Sequence, residues 1–245
     1  MRVKNKYMIG QDSPFQLSRA KIDTFINCPR CFVIDRREGI AAPGGPPFTL
    51  NSAVDGLLKR EFDRHRVDKT IHPIVAELGY DFIPFQHEKI DEWRENFKGV
   101  RHLDNETNFL VTGALDDIWV NPDTDSIHVI DYKATAKKDI VESVGDTGFH
   151  LSYKRQLEMY QWLLRRNDVD ASDAAYWLYA TGRSTANEFN KALIFDFRII
   201  AYEGNDNWVT PTLVAIKQAL ETEELPEPTA DCEMCNFLID YSSLS

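Results

Sequence analysis

The chain has 245 residues, of which 43% are hydrophobic and 27% charged, and its formal net charge is −11. That length supports one globular domain with a small appended lobe, and the composition excludes both a disordered chain and a disulfide miniprotein. So acidic a chain is no general polyanion binder, and no apolar run reaches the ~20 residues needed to span a bilayer.

The charge is uneven. Residues 1–66 carry 12 Lys+Arg against 7 Asp+Glu, so a locally basic N-terminal part can still meet a phosphate backbone. The opening residues, MRVKNKYMIGQDSP, lack the apolar stretch of a secretory leader, and the expectation is a cytoplasmic protein with no membrane partner.

In chain order, Ser18 is placed to cap a helix running to about Asn27, with Leu17 packing back on its face. Pro29 ends that helix. Residues 39–48, GIAAPGGPPF, read as a rigid loop whose prolines remove phosphate-binding donors. Asn51 caps a second helix to about His65, with Val54, Leu58 and Phe62 on one face. Residues 66–86 read as irregular and 88–97 as a short amphipathic helix. FLVTGALDDIWV (109–120) and SIHVIDYKAT (126–135) read as strands around an Asn-Pro-Asp turn. A helix over 151–166, strands over 174–181 and 192–202, and a helix over 208–224 follow.

This order predicts an α/β domain with a mixed central sheet flanked by helices. Its parts are a helical N-terminal lobe (1–100), a core (105–205) and a closing segment (206–245). Four cysteines, Cys28 and Cys31 near one end and Cys232 and Cys235 near the other, form two CxxC pairs. In a cytoplasmic chain such pairs point to a metal that ties the termini together. A Cys₄ set suits either zinc or an iron–sulfur cluster.

Asp131 and Lys133 alternate on one strand, so their side chains share a face, and Val129 shares it too. A carboxylate and an amine emerging together are costly unless paired, and DxK alone also describes a structural ion pair. Asp116 adds a carboxylate from the neighbouring strand, which makes a hard-oxygen site suited to Mg²⁺ or Mn²⁺. Gln156 and Tyr160, four apart, lie on one face of the helix over 151–166. The six histidines show no paired metal spacing, and no Walker A or GxGxxG is present.

GALDDIWV, VIDYKAT and QLEMY, in that order, resemble the RecB-like branch of the PD-(D/E)XK nucleases, which includes CRISPR-associated RecB-like exonucleases. The resemblance implies a restriction-endonuclease-like core and a metal-dependent DNA nuclease acting in repair, recombination or CRISPR adaptation. Its substrate would be single-stranded DNA or DNA with free ends, and its partner a helicase or a CRISPR adaptation protein. Asp116, Asp131, Lys133, Gln156 and Tyr160 would surround the metal, with the Tyr132 carbonyl as a further ligand. Several members of the branch hold a four-iron, four-sulfur cluster on one N-terminal and three C-terminal cysteines. Here Tyr241 stands about where the last of these is expected, so Cys31 would supply the missing thiolate. Where the branch often has a histidine, this chain has Asp55, which would ligate metal through oxygen. Lys59, four residues on, offers Asp55 an ordinary ion pair instead. The competing reading is a noncatalytic nucleic-acid-binding or scaffolding module that retains the fold.

Overall fold

A computed structural model describes residues 5–45, 48–185, 187–188 and 190–244. Pro46 and Pro47 of the expected rigid loop, and the first four residues of the opening segment, lie outside this range.

The elements run β1 (Phe15–Ser18), α1 (Arg19–Asn27), α2 (Pro29–Val33), α3 (Thr49–Asp68), α4 (Pro73–Glu77), β2 (Ile83–Pro84), α5 (Ile90–Trp93), β3 (Val100–Asp104), β4 (Phe109–Gly113), β5 (Asp117–Val120), β6 (Ile127–Lys137), α6 (Phe149–Arg165), β7 (Ala174–Arg183), β8 (Phe195–Glu203), α7 (Val209–Glu221) and α8 (Glu233–Ser242). A π-helical turn, Ile34–Glu38, follows α2, and a 3₁₀ turn, Asp206–Trp208, precedes α7. The chain is mixed α/β, as its pattern predicts, but its strands divide into two sheets.

Two compact units result. One gathers the segments before residue 46, Arg101–Gly113 and the chain from Asn207 onward; the other holds most of residues 47–100 and Ala114–Asp206.

The first unit contains a three-stranded sheet in the order β1-β4-β3, with β1 parallel to β4. Strand β1 is too short to register as a pattern, and it alters the reading of its neighbours. Leu17 is buried as a strand residue, and Ser18 precedes α1 without making a side-chain cap. Pro29 starts a new helix, where its missing N–H costs nothing. Ile22, Phe32, Leu213, Ile216 and Leu220 form the apolar interior. Arg37 donates to the carbonyls of Thr222 and Glu223, just beyond the C-terminal end of α7.

The second unit carries a five-stranded sheet in the order β2-β5-β6-β7-β8, antiparallel except for the parallel β6–β7 pair. Helix α3 begins at Thr49, two residues before Asn51, whose amide instead donates to the Ala134 carbonyl of β6 at 2.8 Å. The 66–86 stretch holds α4 and β2, and the amphipathic pattern over 88–97 shortens to α5. The apolar stripe of α3 packs on the sheet: Val54, Leu58 and Phe62 cluster with Trp119, Ile130, Tyr132 and Leu178. Phe62 stacks between the rings of His72 (4.3 Å) and Trp119 (4.9 Å). The expected strand over 109–120 breaks at Ala114–Asp116, where Leu115 N–H leaves the ladder and donates to the Trp93 carbonyl. This break carries Asp116 to the end of β5.

Candidate active site

Strand β6 positions the centre of the site. Even-numbered Ile130 and Tyr132 join the α3 cluster, so the alternation turns Asp131 and Lys133 to the opposite face. Asp131 is fully buried and forms an ion pair with Lys133. The Lys133 ammonium donates to Gln156 Oε1 of α6 at 3.2 Å, and Gln156 Nε2 donates to the Tyr160 hydroxyl at 3.0 Å. The same ammonium lies 4.4 Å from the centre of the Tyr153 ring. One lysine is therefore fixed by a carboxylate, an amide and an aromatic face.

Asp116 enters from β5. The register pairs Asp117 with Ile130, so the next antiparallel step brings Asp116 toward Asp131. Asp116 Oδ2 accepts the Tyr132 backbone N–H at 2.9 Å. Its neighbour Asp117 has a different fate. Completely buried, Asp117 accepts from Arg66 at 2.5 Å, the Tyr132 hydroxyl at 2.7 Å, Trp119 Nε1 at 3.3 Å and its own strand's Ile118 N–H at 2.8 Å. Burial and then the Asp117 charge hold the Tyr132 phenol far above its ordinary pKa, so it stays a donor. Of the two adjacent aspartates, Asp117 serves the core and Asp116 keeps oxygen capacity for the site.

Asp55 lies on α3, with its side chain one-third exposed, and lines a cleft of about 230 Å³ together with Asn51, Tyr132, Lys133 and Tyr153. Lys59 Nζ donates to Asp55 Oδ2 at 3.0 Å and to Asp116 Oδ1 at 3.3 Å. Asp55 Oδ1 is buried and accepts no hydrogen bond, although Lys59 is also 3.0 Å from it. Burial, and then the nearby Asp116 charge, raise the Asp55 pKa despite Lys59. Burial alone would lower the Lys59 pKa; Asp116 and Asp55 together raise it. An under-satisfied oxygen beside the Asp116 carboxylate suits a hard divalent cation, which these two residues, with Asp131, would hold.

Four of the five expected catalytic side chains, Asp131, Lys133, Gln156 and Tyr160, thus form one chain of contacts, and Asp116 reaches the same strand through the Tyr132 amide. Sequence reading missed Tyr153, the full role of Lys59, and the Arg66–Asp117 pair. Tyr153 was detectable, since it precedes Gln156 by three and Tyr160 by seven on the same helical stripe. His72 and His128 are satisfied structural residues: His72 Nδ1 accepts Ile74 N–H at 3.1 Å, and His128 Nδ1 lies 2.8 Å from the Ala174 carbonyl. Burial lowers both pKa values.

The four cysteines gather in the first unit. Cys28 and Cys232 stand at the N-terminal boundaries of α2 and α8, and Cys31 and Cys235 lie in the first turns. Their Sγ separations include 3.4 Å (Cys31–Cys235), 3.5 Å (Cys31–Cys232) and 3.8 Å (Cys28–Cys235), and all four lie within 4.8 Å of one another. These distances exceed the ~2.05 Å of a disulfide, and the cysteines are free. Burial acts to raise the Cys28 pKa, but N–H donors of Cys31 and Thr229 outweigh it and bring it to about 6. Burial pushes Cys235 up to about 11. Tyr241, which stands about where the resemblance places the last of its four cysteines, is exposed beside Phe237. Among the described residues this is the one group of three or more His, Cys, Asp or Glu side chains with ligand atoms gathered for a metal, and such a group can bind one. Among those residues, too, no helix is long and apolar enough to cross a membrane.

Comparison with curated proteins gives no match. A family model described as the PD-(D/E)XK nuclease superfamily matches residues 45–239, a span that includes every residue of the β5–β6–α6 network and Cys232 and Cys235. With most of its length matched and the acidic motif, its lysine and the helical amide assembled in one network, the chain belongs to the PD-(D/E)XK nuclease superfamily.

Proposed function

We propose that the protein is a Mg²⁺- or Mn²⁺-dependent deoxyribonuclease of the RecB-like branch. The observation that supports this most is the Asp131–Lys133–Gln156–Tyr160 chain, with Asp116 anchored on the Tyr132 amide. Asp55, Asp116, Asp131 and the Tyr132 carbonyl would hold the cation, which when bound generates a nucleophilic water and neutralises the attacked phosphate. Lys133 contributes a fixed positive charge. Its ammonium, held by Asp131, Gln156 and the Tyr153 ring, needs no reorganisation as charge grows on a phosphoryl oxygen. Gln156 accepts from that ammonium and, backed by its hydrogen bond to the buried Tyr160, orients it toward the scissile strand. The motif order and the four cysteines favour the RecB-like branch, with DNA that is single-stranded or has free ends as substrate and a helicase or CRISPR adaptation protein as partner.

At the cysteines the reading is a single tetrahedral Zn²⁺ in place of the four-iron cluster that the family resemblance implies. A Zn–S bond of about 2.3 Å sets tetrahedral ligand atoms about 3.8 Å apart. The three closest pairs, at 3.4–3.8 Å, and a group within 4.8 Å overall suit one ion. A cube of iron and sulfide would hold its thiolates further apart. Colourless protein with about one zinc per chain is expected; brown protein containing iron and sulfide would overturn this assignment.

The activity is tested with labelled single-stranded DNA, duplex DNA and RNA, each with Mg²⁺, Mn²⁺ or EDTA. Metal-dependent cutting of DNA, lost in Asp116→Ala, is expected. Binding of DNA without cutting under every condition would leave the noncatalytic reading in its place.

A further inference from the structure

The carboxylates of the second unit already have a cation among them. Lys59 Nζ lies 3.0 Å from Asp55 and 3.3 Å from Asp116, and its side chain is only 21% exposed. Lys133 pairs with Asp131 in the same network. Three carboxylates thus face two ammonium groups, leaving about one net negative charge to attract a divalent ion. The carboxylate oxygens are also not drawn together as the cysteine sulfurs are. Both facts have one explanation.

We propose that Lys59 is a resident counter-ion of the active site: it holds Asp55 and Asp116 in the metal-free enzyme and must leave them for a divalent cation to bind. Resting on the metal-binding reading above, this makes Lys59 a positioning residue that sets the metal affinity. Its place on α3 suits the role. Lys59 is one turn from Asp55, so a rotation of its long, flexible side chain toward solvent frees the carboxylates without moving the helix. The under-satisfied Asp55 Oδ1 marks where the ammonium serves the pair incompletely. A divalent ion, with twice the charge and more coordination sites, serves it better. The displaced charge would still lie near the ion, so it continues to oppose binding.

Two measurements on the full chain test this. In the first, Mn²⁺ alone is titrated calorimetrically into wild type, Lys59→Met and Lys59→Arg. Lys59→Met should bind Mn²⁺ on the order of tenfold more tightly, as a unit charge a few ångströms away is removed, and Lys59→Arg should not. Native-like Lys59→Met with equal or weaker affinity would overturn the proposal, because a purely structural lysine would leave the carboxylates splayed and the site poorer. The second needs no variant and decides the matter even if Lys59→Met fails to fold. Wild-type protein is treated with an amine-acylating reagent, with and without Mn²⁺, and modification of Lys59 is read by mass spectrometry. Modification should rise severalfold with Mn²⁺; unchanged or reduced modification would overturn the displacement. Wild type that binds no Mn²⁺ in calorimetry would instead remove the metal-dependent reading itself, and this inference with it.

Discussion

The two clusters of ionisable residues handle their charge in opposite ways. In the first unit four sulfurs crowd within 4.8 Å with, among the described residues, no lysine or arginine bonded to them, an arrangement whose negative charge a metal would relieve once the thiols ionise. In the second unit each of Asp55, Asp116 and Asp131 already has an ammonium partner. The contrast teaches what each site is built for. If a metal supplies the charge balance of the cysteine site, it should be held permanently and add to the stability of the fold. A site balanced by its own lysines tolerates the metal-free state and admits an exchangeable ion.

The largest effect that tests this contrast should follow from the cysteines. Cys28→Ser, or removal of the metal by a strong chelator, should cost on the order of 5 kcal/mol or more of stability, since structural zinc binding is coupled to folding. Leaving Mg²⁺ and Mn²⁺ out of the buffer, with no chelator added, should leave thermal unfolding nearly unchanged. Equal destabilisation in both treatments would erase the distinction.

Next in size is the buried Arg66–Asp117 pair. Both side chains are at most 3% exposed, so Asp117→Ala leaves the buried guanidinium with only the half-exposed Asp63 and the Phe85 carbonyl, and the Tyr132 hydroxyl and Trp119 Nε1 without their acceptor. A loss of about 3–5 kcal/mol in denaturant unfolding is expected. Asp116→Ala, at a more exposed carboxylate, should cost much less in stability while removing activity.

Lys133→Ala should lower the cleavage rate by on the order of 10²–10³ with the fold intact, as for removal of one preorganised donor to developing charge. Tyr153→Leu takes away only the aromatic face beneath that ammonium, an interaction worth about 0.5–2 kcal/mol. Its cleavage rate should fall about twofold to thirtyfold.

The smallest effect is a pH dependence of stability at Asp55. Burial and then Asp116 raise its folded pKa above the unfolded one, so ionising it opposes folding. Its penalty is absent below the ordinary carboxylate pKa, grows as pH rises from there, and is complete above the raised value. Without divalent metal, Asp55→Asn should therefore melt slightly higher than wild type at pH 7, and the two should converge near pH 3. With Mn²⁺ present the order should reverse, as only wild type gains the ligand. A variant that melts lower than wild type at pH 7 in the metal-free state would show the Lys59 pair to be the stronger influence.

The network around β6 was legible in the sequence because its parts are local. Strand alternation places Asp131 with Lys133, and helical spacing places Gln156 with Tyr160. The remainder depends on pairing between distant segments. Nothing local distinguishes Asp116 from Asp117; only the break after Gly113 and the approach of Arg66 assign one to the site and the other to the core. Strand β1 has four residues, and its identity comes from pairing with β4 about 90 positions away, so Ser18 looked like a helix cap. Asn51 likewise matched a cap by residue type, but its amide is used by β6. The cysteines announced a metal by spacing alone. Which metal they suit depends on separations between sulfurs about 200 residues apart in the chain.

The most direct test of the central claim is cleavage of end-labelled DNA by wild type and Asp131→Asn in Mn²⁺, with folding and cysteine-bound metal verified in both. Asp131→Asn preserves the shape of the side chain at the centre of the network and deletes its charge. Wild type should cut, EDTA should abolish the cutting, and the variant should show no detectable cutting. Equal cutting by both proteins would contradict it, because the phosphodiester chemistry would then belong to some other part of the molecule.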